Sequence, residues 1–428
     1  MDQALARSRC SDPAAVVELL DAHRDVIVPL ALGEPRVLLD VIDAAGPTLD
    51  GVRVHQMHAL RDRPFLHGVY PGLRYVAYFL SPVSRPAFHE GGCDFTPAHF
   101  SDMPHVLRHV TRSPMVVAMA SPPDRHGWFS LGTNADYVGR FIGKVPFFLE
   151  ANRFMPRTRG ENNVHISQVT GWIEADEPLV EVPPPAVHDH DRVIGELIAE
   201  RVPDGATIQV GIGSIPAAAL GALRGHRDLG VHTELLSDCL MELFEAGVVT
   251  GTRKVTRPGK MVTTFAMGTT RFYDFLDDNA AVEFLPVDWV NDLRVIGRES
   301  AFVSINATLE VDMLGQANSE MLGGRMWSGS GGQADFAKGA MFSEHGRGFL
   351  ALHSTTTDGS LSRIKVRLAE GAVVTTNKNT VDCVVTEYGV AELHGEPLSV
   401  RAQRLIAIAH PKFRDELSAE AKELGFLR

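Results

Sequence analysis

ATIQVGIGSIPAAALGALRGHRDLGVHTELLSD, residues 206–238, decides the fold. It opens with an apolar run, Ala206 to Ile212, long enough for one buried strand. Gly211 and Gly213 then make a tight turn. Pro216 falls where a helix has its first residue, and Ala217 to Leu223 are, Gly221 apart, good helix formers. A second short strand, Leu229 to Leu235, follows and carries Glu234 near its end. In open parallel sheets ligands sit at the carboxyl ends of such strands. Glu234 is the lone carboxylate of an uncharged window from Val231 to Ser237. A plain reading stands beside the functional one: Ser237-Asp238 follows at once, so Glu234 could face solvent or cap a helix.

The same pattern occurs earlier. Asp25 to Leu32 is a strand candidate, although Pro29 argues against a central place in a sheet. Gly33 and Pro35 follow, then a helical pattern over Val37 to Ala44 and a strand over Val52 to Met57. Val54-His55-Gln56-Met57 matches Val231-His232-Thr233-Glu234, so Met57 takes the place of Glu234. We read this as an internal duplication with the carboxylate in the second copy only. Further strand candidates are Met115–Ala120, Val145–Leu149, Met261–Met267, Ala301–Leu309, Gly348–His353, Val373–Thr376 and Cys383–Glu387, with helices between them. This predicts an α/β protein of two similar domains with mostly parallel sheets. EADEPLVEVPPPAVHDHD, residues 174–191, is stiff and polar. It sets the expected boundaries: a first domain over 1–182, a linker over 183–191 and a second domain over 192–428.

The chain has 428 residues, ample for two domains, and 44% of them are apolar. Its formal charge of −12 argues against nucleic-acid binding. The four cysteines, Cys10, Cys93, Cys239 and Cys383, form no C-x-x-C pair, which fits a reducing cytoplasm and no disulfide framework. His188 and His190 flank Asp189, and a solvated linker is preferred there to a metal site. No apolar run approaches about 18 residues, so no membrane span is expected.

Two glycine turns carry chemistry. Gly211 to Pro216, GIGSIP, is a near miss of the dinucleotide fingerprint, because Pro216 replaces the third glycine. Ser328 to Gln333, SGSGGQ, has three glycines in four positions and no following Lys-Ser/Thr, so it is no P-loop. It is either a flexible connection or an oxyanion pocket built from backbone N–H groups. Gln209, Asn306 and Gln333 are amides in or beside these elements, able to orient a carbonyl or carboxylate. No G-x-S-x-G elbow occurs.

The stretches FTPAHFSDMP, SPPDRHGWFSLGTNADY, IQVGIGSIPAAAL, VHTELLSD, SINATLEVDMLGQANSE, SGSGGQADFAKGA, VTEYGVAEL and RAQRLIAIAHPKF, from about residue 95 to 413, together resemble the acetyl-CoA hydrolase/transferase family. The likeness is to 4-hydroxybutyrate, acetate and butyrate CoA-transferases. The chain departs from that pattern at Cys239, where the family commonly has glycine. The resemblance implies a CoA-transferase acting through a covalent glutamyl-CoA thioester, with Glu234 as nucleophile and Gln209 as its neighbouring glutamine. It further implies that Gly211, Gly213, Gly331, Gly332 and Gln333 face coenzyme A and the oxyanion. Coenzyme A is then a substrate and no metal or other cofactor is required. The partners are acyl-CoA and small carboxylic acids, and the state is a cytoplasmic homodimer. An acyl-CoA hydrolase on the same scaffold and a non-catalytic CoA-binding protein are the alternatives.

Overall fold

The computed structural model describes residues 12–428. The chain forms two compact units. One runs to Pro183 and takes in Val262–Val290; the other comprises Pro184–Met261 and Asn291–Arg428. This differs from the expected division at 183–191, because residues 262–290 return to the first unit. Local patterns cannot report such a return: in the first unit Ala135 N donates to Thr264 O at 2.8 Å. The segment expected as linker also ends early, since a helix spans Asp189–Ala199. Asp191 explains the start: its Oδ2 accepts from the backbone N–H of His188 at 2.8 Å, satisfying a donor at the helix entrance.

The first unit holds a seven-stranded sheet. From one edge the strands are Asp94–Phe95, Leu73–Ala77, Val52–Gln56, Asp25–Ile27, Met115–Ala120, Phe147–Asn152 and Gly171–Ala175. Every pairing in it is parallel. Pro29 does not put Asp25–Ile27 at an edge, as expected. The strand ends before the proline and lies between two neighbours, so the missing N–H falls outside the ladder. Helix Arg36–Ala45 crosses over to Val52–Gln56 and buries Leu38, Leu39 and Ile42.

The second unit repeats this plan. Its six-stranded sheet runs Gly230–Val231, Thr207–Val210, Phe302–Ala307, Arg347–Ala351, Cys383–Thr386, Gly389–Glu392. Only the last pair is antiparallel. In both sheets the first strand of the unit pairs with the second on one side and with a later strand on the other. Helix Ser214–Ala222 makes the first crossover, with Pro216 in its opening turn, where no intrahelical N–H is needed. It packs on helix Asp189–Ala199 at Gly195, where a Cβ would meet the carbonyl carbon of Ala218 at 2.7 Å. Val373–Thr376 is not a strand; Thr376 makes only an isolated bridge to Ala317. Among the described residues no helix is long and apolar enough to cross a membrane.

Candidate functional site

Glu234 lies past the carboxyl end of Gly230–Val231. The strand expected over Leu229–Leu235 is broken: Gly230–Val231 and Leu235–Leu236 are separate, and Glu234 occupies the bend between them. That bend releases the side chain from the pleat. Its Oε2 accepts from Asn291 Nδ2 at 3.1 Å. The same amide nitrogen donates to Asp335 Oδ2 at 3.3 Å. Asn291 is fully buried, and two carboxylate acceptors fix which end of the amide is nitrogen. Its Oδ1 has no hydrogen-bond partner among the described residues.

The glycine loop closes on this carboxylate. A Cβ added to Gly332 would lie 2.0 Å from Glu234 Oε2 and 2.3 Å from Asn291 Nδ2. Only a residue without a side chain fits there. Gly331 before it has φ +55°, a left-handed conformation that glycine adopts at no steric cost. Helix Gln333–Phe342 begins at the next residue and carries Asp335 in its first turn.

The electrostatics follow. Glu234 remains partly accessible, yet burial around the carboxyl pushes its pKa up to about 7. Asn291, by hydrogen-bonding the carboxylate, pulls the value down; the negative charge of Asp335 pushes it further up. At neutral pH the group is therefore poised between acid and carboxylate, as functional carboxyls often are.

The other candidate residues divide. Gly332 and Gly331 are beside Glu234. Gln333 starts the following helix and donates from Nε2 to Thr376 Oγ1 at 3.1 Å. Gln209 belongs to a different cluster. Its Oε1 accepts from Ser304 Oγ at 2.7 Å and Asn306 Nδ2 at 3.0 Å, and its Nε2 donates to Asn306 Oδ1 at 3.0 Å. Register explains this: Gln209 lies opposite Ser304, and Asn306 is two residues on, hence on the same face. Gly211 packs against that cluster, since a Cβ there would meet Asn306 Oδ1 at 2.7 Å. Gly213, at φ +125°, opens helix Ser214–Ala222. Cys239 sits in the first turn of helix Asp238–Glu245, and burial raises its thiol pKa.

Sequence reading missed Asn291 and Asp335. Asp335 lies within the SGSGGQADF stretch, but an acid in a first helical turn is common and passes unremarked. Asn291 sits between two short helices, in no pattern at all.

Comparison with known proteins adds to the geometry. A model of the acetyl-CoA hydrolase/transferase N-terminal domain matches residues 18–184, and one of the C-terminal domain matches residues 268–421. The chain is 41% identical to the succinyl-CoA:cyclohexane-1-carboxylate CoA transferase of Geobacter metallireducens, over 98% of this chain and 96% of that protein. It is 40% identical to the 4-hydroxybutyrate coenzyme A transferase of Clostridium kluyveri, over 95% and 96% respectively. Its structure matches the crystal structure of RipA from Yersinia pestis with a TM-score of 0.94 and 34% identity, each chain fully covered.

Proposed function

The chain belongs to the acetyl-CoA hydrolase/transferase family and is an enzyme, and on that premise we propose that it moves coenzyme A between an acyl-CoA and a short-chain carboxylic acid. The carrying observation is Glu234: a carboxyl held near pKa 7 with a side-chain-free loop against it.

In the proposed cycle the Glu234 carboxylate attacks the thioester carbonyl of the acyl-CoA. The tetrahedral intermediate collapses, the C–S bond breaks, and an acyl–glutamyl anhydride and CoA thiolate result. The thiolate attacks the glutamyl carbonyl, forming the glutamyl-CoA thioester and releasing the first acid as its carboxylate. An acceptor carboxylate then attacks the glutamyl thioester, and the steps run in reverse. Each intermediate keeps an activated acyl bond, which is why a covalent route suits the exchange.

Asn291 supports this reading by donating to Oε2 of Glu234 and so orienting the carboxyl. The glycine loop supports it because the main chain of Gly332 lies against Glu234, and a backbone donor to an oxyanion is worth about 3 kcal/mol in other enzymes. Gln209 acts in this reading through the amide cluster that shapes the sheet's carboxyl edge. The substrates supply all the chemistry, so the proposal needs no metal or redox cofactor. From the resemblance we also take the enzyme to be a cytoplasmic homodimer; sedimentation at working concentration tests the dimer.

Incubation with acetyl-CoA followed by borohydride or hydroxylamine and mass analysis should locate the modification on Glu234. Modification at any other residue overturns the mechanism. Exchange assays with acetate as acceptor test the reaction class. Release of free CoA without an acceptor acid, at the exchange rate, would make the enzyme a hydrolase instead.

A further inference from the structure

Gly230–Val231 is the edge strand of the six-stranded sheet, and Glu234 follows three residues after Val231. Successive residues of a strand turn their backbone groups to opposite sides. Gly230 N donates to Ala206 O at 2.9 Å and His232 N to Ile208 O at 3.1 Å, both toward the sheet. Leu229 and Val231 therefore face the open edge. Leu229 is paired there by the chain that follows helix Asp238–Glu245. Its N donates to Val248 O at 2.9 Å, and its O accepts from Thr250 N and Gly251 N, each at 3.0 Å. That chain then leaves the edge. Gly251 O accepts from Lys254 N at 3.2 Å and from Gly259 N at 2.9 Å, which folds residues 251–259 into a loop.

The carbonyl of Val231 lies beyond the reach of that pairing, inside the protein, where an unmade hydrogen bond is costly. A side chain of the loop meets it. Lys254 Nζ donates to Val231 O at 2.7 Å, and Lys254 is only 4% exposed. Lysine is seldom buried so far. Its stem lies along the edge strand: a Cβ on Gly230 would meet Lys254 Cγ at 2.5 Å. The loop is anchored next to the lysine. Glu299 Oε2 accepts from Val255 N at 2.8 Å, and Oε1 accepts from Thr256 N at 2.9 Å. Glu299 stands eight residues after Asn291, across the short helix Leu293–Ile296. One segment thus supplies both the amide on Glu234 and the anchor of the lysine loop.

We propose that Lys254 is a positioning residue for the reaction: its ammonium pins the Val231 carbonyl at the last strand residue before the chain bends, and so sets where Glu234 projects. This rests on the CoA-transferase reading above. A lysine can also seal a sheet edge and do nothing more. Such a lysine serves equally well anywhere along the edge. Lys254 is bonded to the residue at which the strand ends. Past that residue the bend is held by His232 N on Ile208 O and by Thr233 Oγ1 on Val210 O, the latter 3.4 Å long and weak. The bond from Lys254 is the short, charged one of the three.

The test uses the whole enzyme with three single variants. Lys254→Met keeps the stem and removes the donor. Lys254→Arg keeps a charged donor. Glu299→Gln weakens the anchor and leaves the lysine in place. Steady-state exchange gives kcat, calorimetry gives the affinity for free CoA, and the pH profile gives the Glu234 inflection. We expect Lys254→Met to lose at least about tenfold in kcat, because a small misplacement of a reacting group costs that much. Its affinity for CoA should stay within about twofold, as a geometric defect of the transition state requires. Its inflection should stay near 7, because burial, Asn291 and Asp335 set that value. Lys254→Arg should keep more of the rate than Lys254→Met, and Glu299→Gln should lose severalfold. Parental kcat in a folded Lys254→Met or a folded Glu299→Gln overturns the proposal. A loss of CoA affinity as large as the loss in kcat overturns it too, by making the lysine a binding residue. A parent enzyme whose label is trapped away from Glu234 refutes the reaction instead. Crystals of Lys254→Met then still decide the positioning: loss of the 3.1 Å bond between Glu234 and Asn291 upholds it, and persistence of that bond overturns it.

Discussion

In the first unit Val26 lies beside Val54; in the second, Ile208 lies beside Val231. Counting three residues on from each partner reaches Met57 and Glu234. The register thus places both in the same position of a repeated strand–helix–strand entry. Met57 is buried as an ordinary apolar residue. The first unit keeps its own buried carboxylate elsewhere, at Glu34, and treats it differently. Glu34 Oε1 meets Arg63 Nη1 at 2.6 Å, and Oε2 accepts from Gln56 Nε2 at 3.0 Å and Leu60 N at 2.9 Å. A guanidinium and two further donors commit that carboxylate to holding loops together. Asn291 donates an amide N–H to Glu234 and shares it with a second carboxylate, and the Glu234 pKa sits near 7. Burial alone does not decide what a carboxyl can do; the choice of partner does.

The sharpest way to break this comparison is to neutralise each carboxylate in turn. Glu234→Gln should cut exchange by at least about three orders of magnitude while leaving the protein folded. Glu34→Gln should instead cost stability, about 3 kcal/mol, since it removes the closer of the two carboxylates that pair with buried Arg63 and leaves only Asp40. Chemical denaturation and exchange assays on both variants check the pair. Equal loss of exchange in the two would erase the distinction.

Gly332→Ala comes next. Its Cβ would require the Glu234 carboxylate or Asn291 to move. Displacement of about 1 Å at a reacting group costs about a hundredfold in rate. Steady-state exchange by a well-folded Gly332→Ala at parental rate would show that the loop is mobile enough to ignore.

The pH dependence is subtler. The proposed cycle needs the ionised carboxylate, so kcat/KM should rise with pH and inflect near 7. Asp335 raises that value by its charge, so Asp335→Asn should move the inflection to lower pH. Stability runs the other way. The folded state raises the pKa from 4.5 to about 7, so it favours the protonated form. That contribution is complete below 4.5 and is lost as pH rises through 7. Glu234→Gln should therefore melt progressively higher than the parent between those values, with a constant advantage above them. The smallest effect on exchange belongs to Met57→Glu in a Glu234→Ala background: activity should stay at the background level. Recovery there would mean that the first copy retains a working site.

The parallel strand–helix–strand entries were legible because burial on both faces and turn glycines leave local marks. Glu234 was legible for its uncharged surroundings, and the glycine loop for its density. What escaped was set by distance along the chain. Asn291 is 57 residues from the carboxyl it holds, and nothing in its own neighbourhood points there. Gln209 was named as the glutamine neighbouring Glu234 from the family resemblance, and its hydrogen bonds to Ser304 and Asn306 come from strand register that the sequence does not display. The return of residues 262–290 to the first unit is equally silent, because each short strand there reads the same wherever it docks.

The main chain at Gly332 comes up to the Glu234 carboxyl with no side chain between them. That wall has nothing to trim and no room to grow. A preference for longer or bulkier acids has to be carved from other surfaces, so descendants of this scaffold can diversify their diet while this corner stays as it is.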